Sequence, residues 1–555
     1  YGIHHLNVPK MFSTYEEIFK HRDDFEKTLN FINSRLHNPK YPLPKLLPFV
    51  PFALSYHGVS DAKIFTKLSS TYRKLYPILN YERENCFVKT KADRIKVGFI
   101  TAFFRNHSVT RDRFGIIMNL PKDKFEVYAI FMKPPSDEYG EYISKRVDVR
   151  VLVPELSLYN NSFVSIREQL AQLKLDILVY CEIGMDLMTY CMAHARLAPV
   201  QISTWGHSDT SGIDVIDYFM SSKYYEDPES VKTNCNYSEK IVALPSLCTY
   251  YLLPHYKPNP KFNMRDMGIS QSDNLYICPQ SLFKINPRFR QMLKQILIRD
   301  PKSYILFIDS TESYYLMDKL YNHFDNDFGT LIHRIKILGR INPLGRFLDF
   351  MSMAVVILDS YPFGGCNTSM EAFYIKKIVI TLAGDVLNGR FTYGFYKKMG
   401  IMDAVAKDEE DYVQKAIFYM NNKEAREELE NRIYDKNYLL YREIDSVDDW
   451  SNKLINMSKP YFEFIKQEHN PFPNIIHFVH MGFKPFTFLN YLSVKSALKL
   501  NKPDEIFMYY SKNPPGNLKW WNKIKQWVKM VQMKIPDDTP PTVVKQKAYT
   551  LSIIK

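Results

Sequence analysis

The stretch Ala354–Gly384, AVVILDSYPFGGCNTSMEAFYIKKIVITLAG, decides the fold because it joins two apolar strands through a polar, glycine-containing turn and a helix. Ala354–Leu358 and Ile378–Leu382 are near-continuous apolar runs. Such runs are typical of parallel strands that are buried on both faces. The stretch therefore predicts a βαβ unit, which is the building block of a parallel sheet covered by helices.

The turn between these two strands is suited to binding an anion. Gly364 and Gly365 allow close approach of the backbone, and Asn367, Thr368 and Ser369 are predicted to cap the following helix. Amides at the start of a helix, together with these hydroxyls, favour a phosphate group. An ordinary crossover with a well-capped helix explains the same residues, so the local pattern leaves both interpretations open.

Length and composition exclude several classes of protein. The chain has 555 residues, more than one hydrophobic core organises, so about three or four domains are expected. With 46% hydrophobic and 15% aromatic residues, a largely disordered chain is excluded. No apolar stretch approaches the roughly eighteen residues needed to span a bilayer, and no signal-peptide core opens the sequence. We therefore expect a cytoplasmic protein without membrane attachment.

Net charge and cysteine spacing indicate which ligands and cross-links the chain is expected to have. The net charge is +13, but lysines are interleaved with acidic residues and no dense basic arm occurs, so no nucleic-acid partner is expected. A positive balance suits an anionic small ligand without selecting one. The seven cysteines are dispersed without a CxxC pair, which predicts reduced thiols and neither a zinc ribbon nor a disulfide framework.

Four regions follow from the pattern of helices and strands. Residues 1–92 are predicted to be helical, with helices at Thr14–Leu36 and Asp61–Leu75 separated by the proline-rich YPLPKLLPFVP. Residues 93–268 and 269–465 each alternate short apolar strands with helical segments. The first series contains IKVGFITAFF, FEVYAIFM, VRVLVPE, LDILVYCEIG and APVQISTWG, and the second contains NLYICPQ, SYILFIDS, RIKILGR, AVVILDS and KIVITLAG.

Two successive α/β series predict two Rossmann-like domains that face each other across a ligand-binding cleft. A helical tail at about residues 409–457 is expected to strap the two halves together. Residues 466–555 read as a linker followed by the start of another α/β domain. Because the sequence lacks a start methionine and this last segment is short, we expect the chain to be a piece of a longer protein.

Several residues could carry chemistry. Lys284 lies between a predicted strand and a helix that Asn286 caps and Pro287 begins, which is where an open α/β sheet binds ligands. His107 and His207 each follow a strand of the first series, where an imidazole can exchange a proton or donate to a developing charge. Solvated-loop or structural roles explain each of the three equally simply. No HExxH, P-loop or GxSxG motif is visible, which weakens metalloprotease, NTPase and serine-hydrolase interpretations.

From about Pro51 to Met457 the sequence resembles glycosyltransferase family 41, which includes O-GlcNAc transferase and the bacterial protein N-glycosyltransferases. The motifs that carry the resemblance occur in the family's order: RIKVGFITAFFRNHSVTR, IGMDLMTYCMAHARLAPVQISTWGHSDTSG, SLFKINPRF, GRFLDF, PFGGCNTSMEAF and GDVLNGRF. The resemblance implies a GT-B fold that binds a UDP-sugar between two Rossmann-like domains. It also implies transfer of the sugar with inversion, without a metal or other cofactor, to a protein or peptide acceptor.

The same resemblance implies roles for individual residues. Lys284 corresponds to a lysine that contacts the nucleotide diphosphate, and Glu371 to an acidic residue that holds the ribose hydroxyls. Phe347 corresponds to a ring near uracil, and His107 and His207 would face acceptor and sugar as catalytic residues beside Lys284. The remaining donor-binding residues implied are Gln280, Gly365, Cys366, Asn367, Thr368, Ser369 and Arg390.

Departures from the family pattern leave the sugar and the linkage open. Cys366 replaces a commoner histidine or asparagine, and Arg390 resembles the O-GlcNAc branch whereas other motifs resemble the N-glycosyltransferase branch. GlcNAc or a hexose could be transferred, to Ser/Thr or to Asn. There are two alternatives: a transferase with a glycan or small-molecule acceptor, and a degenerate GT-B domain used for binding. The oligomeric state stays open.

The segment from Asn474 resembles the start of capsular-polysaccharide or Och1-like glycosyltransferases of the GT-A type. In that group a DxD metal motif follows a block similar to VVKQKAYTLSIIK, and the sequence stops at Lys555 before such a motif. This segment alone is therefore expected to be catalytically inert.

Overall fold

The computed structural model describes residues 6, 8–9, 11–35, 51–153, 162–254, 256–259, 262, 264–308, 314–341, 343–465, 475–480, 485–501, 503, 505–510, 513–514, 516 and 518–532. The chain divides into two compact units, residues 1–465 and 466–555. The finer domain boundaries at residues 92 and 268 remain predictions.

The first unit begins with the predicted helices, α1 (Tyr15–Ser34) and α2 (Ala62–Leu75). The Thr14 hydroxyl accepts a hydrogen bond from the Glu17 amide at 3.3 Å, so a threonine cap starts α1. Most of the proline-rich stretch between the helices lies outside the described residues, but Pro51–His57 forms a 3₁₀ helix. Two short strands follow, β1 (Tyr81–Glu82) and β2 (Thr90–Ala92).

A seven-stranded, fully parallel sheet forms the core of the first α/β half. Its strands are β3 (Ile95–Thr101), β4 (Phe125–Phe131), β5 (Val149–Leu152), β6 (Ile177–Tyr180), β8 (Val200–Thr204), β9 (Tyr218–Ser222) and β10 (Lys240–Leu244), in the order β10-β9-β8-β6-β3-β4-β5. The short strand β7 (Ala195–Arg196) pairs with β1 instead. The helices are α3 (Ser108–Asn119), α4 (Glu138–Arg146), α5 (Ser162–Gln172), α6 (Leu187–Ala193) and α7 (Pro228–Thr233).

The second half has a six-stranded parallel sheet in the order β13-β12-β11-β14-β15-β16. Its strands are β11 (Asn274–Cys278), β12 (Ser303–Ile308), β13 (Ile335–Leu338), β14 (Val356–Leu358), β15 (Val379–Leu382) and β16 (Val405–Ala406). Its helices are α8 (Pro287–Arg299), α9 (Tyr314–Phe328), α10 (Leu344–Ser352), α11 (Asn367–Tyr374) and α12 (Phe391–Met399). The Asn286 cap is confirmed, since its side chain accepts from the Arg288 amide.

Both sheets reverse their strand order once, and this reversal positions the cleft. In the first sheet the reversal falls between β3 and β6, and in the second between β11 and β14. A crevice opens at the carboxyl ends of the strands where the order reverses, and ligands of open α/β sheets bind there. The loops that follow β3, β11 and β14 contain His107, Lys284 and the glycine turn, respectively.

The predicted helical tail is confirmed and is divided into three helices. It consists of α13 (Glu409–Asn421), α14 (Lys423–Lys436) and α15 (Ile444–Ser458), because Asn422 ends one helix and caps the next. α13 packs on the second sheet, where the Tyr412 hydroxyl donates to the Asp359 carbonyl at 2.8 Å. α15 reaches the first half, where the Trp450 indole donates to the Cys248 carbonyl at 3.1 Å. The predicted strap is thereby confirmed. The final strand, β17 (Phe462–Phe464), pairs with β2.

Strands β9, β10 and β16 are additional to the predicted series. β9 reads YFMSS and ends in two serines, so its sequence lacks the continuous apolar run that marks a buried strand. Both serines are nevertheless fully buried, and their hydroxyls bond to Glu226 and to the Ser246 carbonyl. Tertiary hydrogen bonds thus replace the missing hydrophobic signal.

The second unit contains a three-stranded parallel sheet in the order β18-β19-β20. Its elements are β18 (Ile475–His480), α16 (Phe488–Asn501), β19 (Glu505–Tyr510), α17 (Lys519–Ile524) and β20 (Lys529–Gln532). The unit has its own small core around Trp521, and the predicted strand at IIHFVHMG is confirmed as β18. The block VVKQKAYTLSIIK lies outside the described residues. Across all described residues, no helix is long and apolar enough to span a bilayer.

Candidate active site

Lys284 lies at the reversal point of the second sheet. It ends a short 3₁₀ helix, Leu282–Lys284, directly after β11. Its ammonium Nζ donates to the Gly364 carbonyl at 2.8 Å and to Gln280 Oε1 at 3.0 Å, and it lies 4.3 Å from the centre of the Phe363 ring. Burial lowers the pKa of Lys284 to about 8, although nearby Asp359 favours the charged form. The lysine is therefore mostly charged at neutral pH and readily responds to an added anion.

The glycine turn is held rigidly against the same lysine. The Gly365 amide donates to Asp359 Oδ1 at 2.6 Å, and the Thr381 hydroxyl donates to Asp359 Oδ2 at 2.8 Å. A Cβ atom at Gly365 would lie 2.4 Å from both Gln280 Nε2 and Thr368 Oγ1. A methyl group at this position would therefore displace the Gln280 and Thr368 side chains.

The prediction that Asn367, Thr368 and Ser369 cap the helix is wrong in its details. α11 begins at Asn367, and Cys366 occupies the N-cap position without a side-chain capping bond. Gln280 Nε2 donates to Thr368 Oγ1 at 2.7 Å, and Ser369 Oγ lies 2.7 Å from Thr392 Oγ1. The Ser369 amide donates to the Cys366 carbonyl at 3.1 Å, so Asn367 and Thr368 supply the amides at the start of α11 that remain for a ligand. Such amides favour an anion.

Glu371 is held from across the cleft. It is 3% exposed, and its Oε1 accepts from Arg111 NH1 of α3 at 2.6 Å and from the Tyr251 hydroxyl at 3.4 Å. Burial raises the pKa of Glu371 to about 7, while Arg111 opposes that rise. Arg111 and Tyr251 were not singled out from the sequence. Arg111 follows His107 by one helical turn, and this spacing is the only sequence signal for it.

Phe347 is partly buried on α10, three residues after Leu344. Leu344, Arg111 and Tyr251 line one small cavity together with Phe114, Tyr139 and Leu252–Pro254. Phe347 itself does not line this cavity. Arg390 instead donates from NH1 to the Gly384 carbonyl at 3.0 Å and from Nε to the Tyr225 carbonyl at 2.5 Å. Arg390 therefore bridges the two halves through backbone oxygens.

His107 follows β3 and caps α3. Its Nδ1 accepts from the Val109 amide at 3.3 Å, and its ring stacks on Phe103 at 4.5 Å. Burial, helped by Arg105 and Arg111, lowers the pKa of His107 to about 4. Since Nδ1 is an acceptor, the neutral ring carries its proton on Nε2 and is suited to donate a hydrogen bond.

His207 follows β8 and is almost completely buried. Its Nε2 lies 3.1 Å from Ser55 Oγ, and its Nδ1 has no partner among the described residues. Burial lowers the pKa of His207 to about 3, so this ring is also neutral. The Ser55 carbonyl accepts from Asn388 Nδ2 at 2.9 Å, which connects this histidine to the GDVLNGRF motif of the second half.

Residues 51–58 were missed as part of the site, although they bridge its two sides. Tyr56 packs on Phe283 at 4.7 Å and on Phe363 at 4.9 Å, beside Lys284. A Cβ atom at Gly58 would lie 2.1 Å from Pro362, so the segment fits closely against the loop before the glycine turn. The sequence carried no signal for this contact beyond the position of the segment before the first α/β half.

The site lies between two parallel sheets that share one topology, and this arrangement defines the GT-B class of glycosyltransferase fold. A mutant of the Thermobaculum terrenum O-GlcNAc transferase has the same fold, with a TM-score of 0.60 and 20% identity over 73% of this chain and 76% of that chain. The fold predicted from the sequence is confirmed.

Residues 262–441, which contain Lys284, the glycine turn and Glu371, match the model of glycosyl transferase family 41. The predicted resemblance to this family is confirmed. One relative is the probable UDP-N-acetylglucosamine–peptide N-acetylglucosaminyltransferase SPINDLY of Hordeum vulgare, 27% identical over 42% of this chain. Another is the UDP-glucose:protein N-beta-glucosyltransferase of Actinobacillus pleuropneumoniae, 22% identical over 46% of this chain. The chain spans 24% and 40% of the lengths of these two relatives.

Proposed function

We propose that this chain is a glycosyltransferase that moves GlcNAc or a hexose from a UDP-sugar to a protein side chain, with inversion and without a metal. The observation that carries the proposal is the convergence of Lys284 with the start of α11 at the reversal point of the second sheet. The named relatives use UDP-GlcNAc and UDP-glucose with peptide or protein acceptors, which supports this donor and acceptor class.

The proposed reaction develops negative charge on the leaving group. The bond between sugar C1 and the β-phosphate oxygen breaks, and UDP keeps the bonding electrons. The acceptor oxygen or nitrogen bonds to C1 from the opposite face and releases its proton to the solvent, so UDP and one proton are the other products. Charge on the departing diphosphate is stabilised by the Lys284 ammonium and the first amides of α11, which occupy fixed positions before the reaction.

The other predicted site residues take supporting roles in this proposal. Glu371 would accept from the ribose hydroxyls, Phe347 would lie near uracil, and Gln280 would orient both Lys284 and Thr368. His107 and His207 would face the sugar and acceptor as neutral groups. Arg390 would act on the donor indirectly by fixing the 384–390 loop.

A cytoplasmic location completes the proposal. All seven cysteines are free, as expected of a chain in a reducing compartment. Nucleotide sugars are the donors named for the relatives. No partner other than donor and acceptor is proposed.

The test is donor-dependent stabilisation and transfer by the full 555-residue chain. UDP should raise the melting temperature, while GDP at the same concentration should not, because only a ligand that binds the native state shifts it. A panel of UDP-GlcNAc, UDP-glucose and GDP-sugars should give transfer or hydrolysis with a UDP-sugar, unchanged by EDTA. Selectivity for GDP-sugars, or no response to any UDP compound, would contradict the proposal.

The acceptor class needs its own measurement. Mass spectrometry of peptides from a lysate incubated with the active donor should find hexose or HexNAc on Ser, Thr or Asn. Modified oligosaccharides with unmodified peptides would support the glycan-acceptor alternative instead. Donor binding without transfer to any acceptor would support a binding domain.

A further inference from the structure

Arg111 and Glu371 form an ion pair between the two halves of the first unit. Arg111 belongs to α3, one turn after His107, whereas Glu371 belongs to α11, directly after the glycine turn. Arg111 NH1 lies 2.6 Å from Glu371 Oε1, and the two side chains are 20% and 4% exposed. Partly buried pairs of this kind are screened much less than surface ion pairs.

The guanidinium is fixed by a second partner. Arg111 Nε and NH2 both donate to Asn106 Oδ1, at 3.2 and 3.0 Å. The Asn106 amide in turn donates to Asp137 Oδ2 at 2.5 Å. Because the guanidinium is planar, fixing two of its nitrogens determines the direction in which NH1 points. The His107 turn therefore aims Arg111 at Glu371.

The two contacts from the opposite half reach the same oxygen of Glu371. Both Arg111 NH1 and the Tyr251 hydroxyl donate to Oε1. A carboxylate has acceptor positions on both oxygens, so this arrangement orients the group and leaves Oε2 for another donor. Arg111 and Tyr251, the two groups that hold Glu371, also line one small cavity.

The ionisation of Glu371 depends on its neighbours. Burial raises the pKa of Glu371 to about 7, and Arg111 is the main group that opposes the rise. The titratable groups around it come from several elements, and they are Arg111 and Asp112 of α3, Cys366, Tyr251 and Tyr441. Without Arg111, the carboxyl would take up a proton at a higher pH and would be a poorer acceptor.

We propose that Arg111 is a positioning residue for donor binding: held by Asn106, it keeps the Glu371 carboxylate ionised and oriented for the ribose hydroxyls of the donor. This inference rests on the proposed function. It also connects the two sides of the cleft, since the turn that carries His107 controls a group that binds the nucleotide.

The experiment compares the full chain with Arg111→Ala by calorimetric titration of UDP and of 2′,3′-dideoxy-UDP between pH 6.5 and 9. At pH 7 the variant should bind UDP about ten- to a hundredfold more weakly, the range expected for losing a charged hydrogen-bond partner. The defect should shrink towards pH 9, where Glu371 ionises without help. Both proteins should bind dideoxy-UDP with similar affinity, since that ligand lacks both ribose hydroxyls.

Controls separate positioning from folding and from general charge. Arg105→Ala removes an exposed positive charge from the same turn without the Glu371 contact and should leave UDP affinity nearly unchanged. Arg111→Lys should restore part of the affinity. In a Glu371→Gln background, Arg111→Ala should have no further effect on UDP affinity. Burial also raises the pKa of Asp112 to about 7, so Asp112→Asn tests whether this residue causes the pH dependence. The pH dependence should persist in Asp112→Asn.

Equal losses of UDP and dideoxy-UDP affinity, or a defect that does not change with pH, would overturn the assignment of Arg111. So would unchanged UDP binding by Arg111→Ala. If the unaltered chain fails to bind UDP, both the proposed function and this inference are contradicted. If the unaltered chain binds UDP and one of the results above is found for Arg111→Ala, only this inference is contradicted.

Discussion

The carboxyl edges of the two sheets have the same topology but different electrostatics. The edge of the second sheet presents a charged lysine and the start of a helix, next to a carboxylate that an arginine helps to ionise. The edge of the first sheet presents His107 and His207, whose pKa values are lowered by burial to about 4 and about 3. It also contains Glu182, whose pKa burial raises to about 8. At neutral pH these three groups of the first edge are uncharged.

Under the proposed function, this difference would let one repeated architecture serve two tasks. A departing diphosphate carries growing charge and needs fixed cationic and amide groups, which the second edge supplies. An uncharged sugar or acceptor hydroxyl needs neutral donors and acceptors in a dry environment, which the first edge supplies. The following predictions test whether the division holds.

The largest expected effect is at the charged edge. Lys284→Ala should lower kcat/KM for transfer about 10²- to 10³-fold, because it removes the preorganised positive charge that stabilises the leaving diphosphate. The UDP-dependent rise in melting temperature should also disappear. Lys302→Ala, which removes an exposed lysine elsewhere in the second half, is the matched control and should behave like the unaltered chain. Full activity in Lys284→Ala would show that the leaving group is stabilised elsewhere.

The glycine turn should be the next most sensitive position. In Gly365→Ala the new methyl would lie 2.4 Å from Gln280 Nε2 and Thr368 Oγ1, so the turn must shift. We expect UDP affinity, measured by titration, to fall about ten- to a hundredfold, with about 1–3 kcal/mol lost from the free energy of unfolding. Gly339→Ala meets no atom within 4 Å and serves as control. An equal effect of both substitutions would remove the special role of this turn.

The pH dependence of kcat/KM for the UDP-sugar should reflect only the titratable groups at the carboxyl edge of the second sheet. Activity should fall as pH drops below about 7, because Glu371 becomes protonated, and again above about 8, because Lys284 loses its proton. Each limb should approach a tenfold change per pH unit. Both histidines stay neutral throughout this range, so replacing either should not move the limbs. A limb near pH 6.5 that vanishes with His107 or His207 would break the comparison.

A smaller effect is expected from the support of His207. Ser55→Ala removes the hydroxyl 3.1 Å from His207 Nε2, and should lower kcat about three- to tenfold while UDP affinity stays unchanged. Ser69→Ala is a closely matched control, since Ser69 Oγ makes the same contact with buried His194 Nε2 at 3.2 Å. Both variants should lose similar stability in chemical denaturation. Only Ser55→Ala should slow transfer; a similar kcat for both would confine His207 to a structural role.

Much of the local structure could be predicted from the sequence. The strands at Val356–Leu358 and Val379–Leu382, the cap at Asn286 and the position of Lys284 between a strand and a helix were all predicted correctly. These features depend on the spacing of apolar residues and on capping side chains, which act over a few residues. Family motifs added the GT-B fold, whereas the individual site roles remain proposals.

The errors and omissions have a common cause. Asn367 does not cap α11, because the helix begins at Asn367 and Cys366 occupies the N-cap position. Thr368 and Ser369 instead bond to Gln280 and Thr392 from other elements. β9 was missed because its buried serines find partners elsewhere in the fold. In both cases tertiary hydrogen bonds changed the outcome expected from local chemistry.

The sequence by itself determined that this protein builds two parallel sheets and that Lys284 lies between a strand and a capped helix, because those features arise from short-range periodicity and helix capping. Only the tertiary structure decided that Arg111 meets Glu371, 260 residues further along the chain, and that residues 51–58 join the two sides of the cleft. The physical reason is that the charge state of a buried carboxylate depends on which groups the folded chain places around it. Sequence spacing does not encode that neighbourhood.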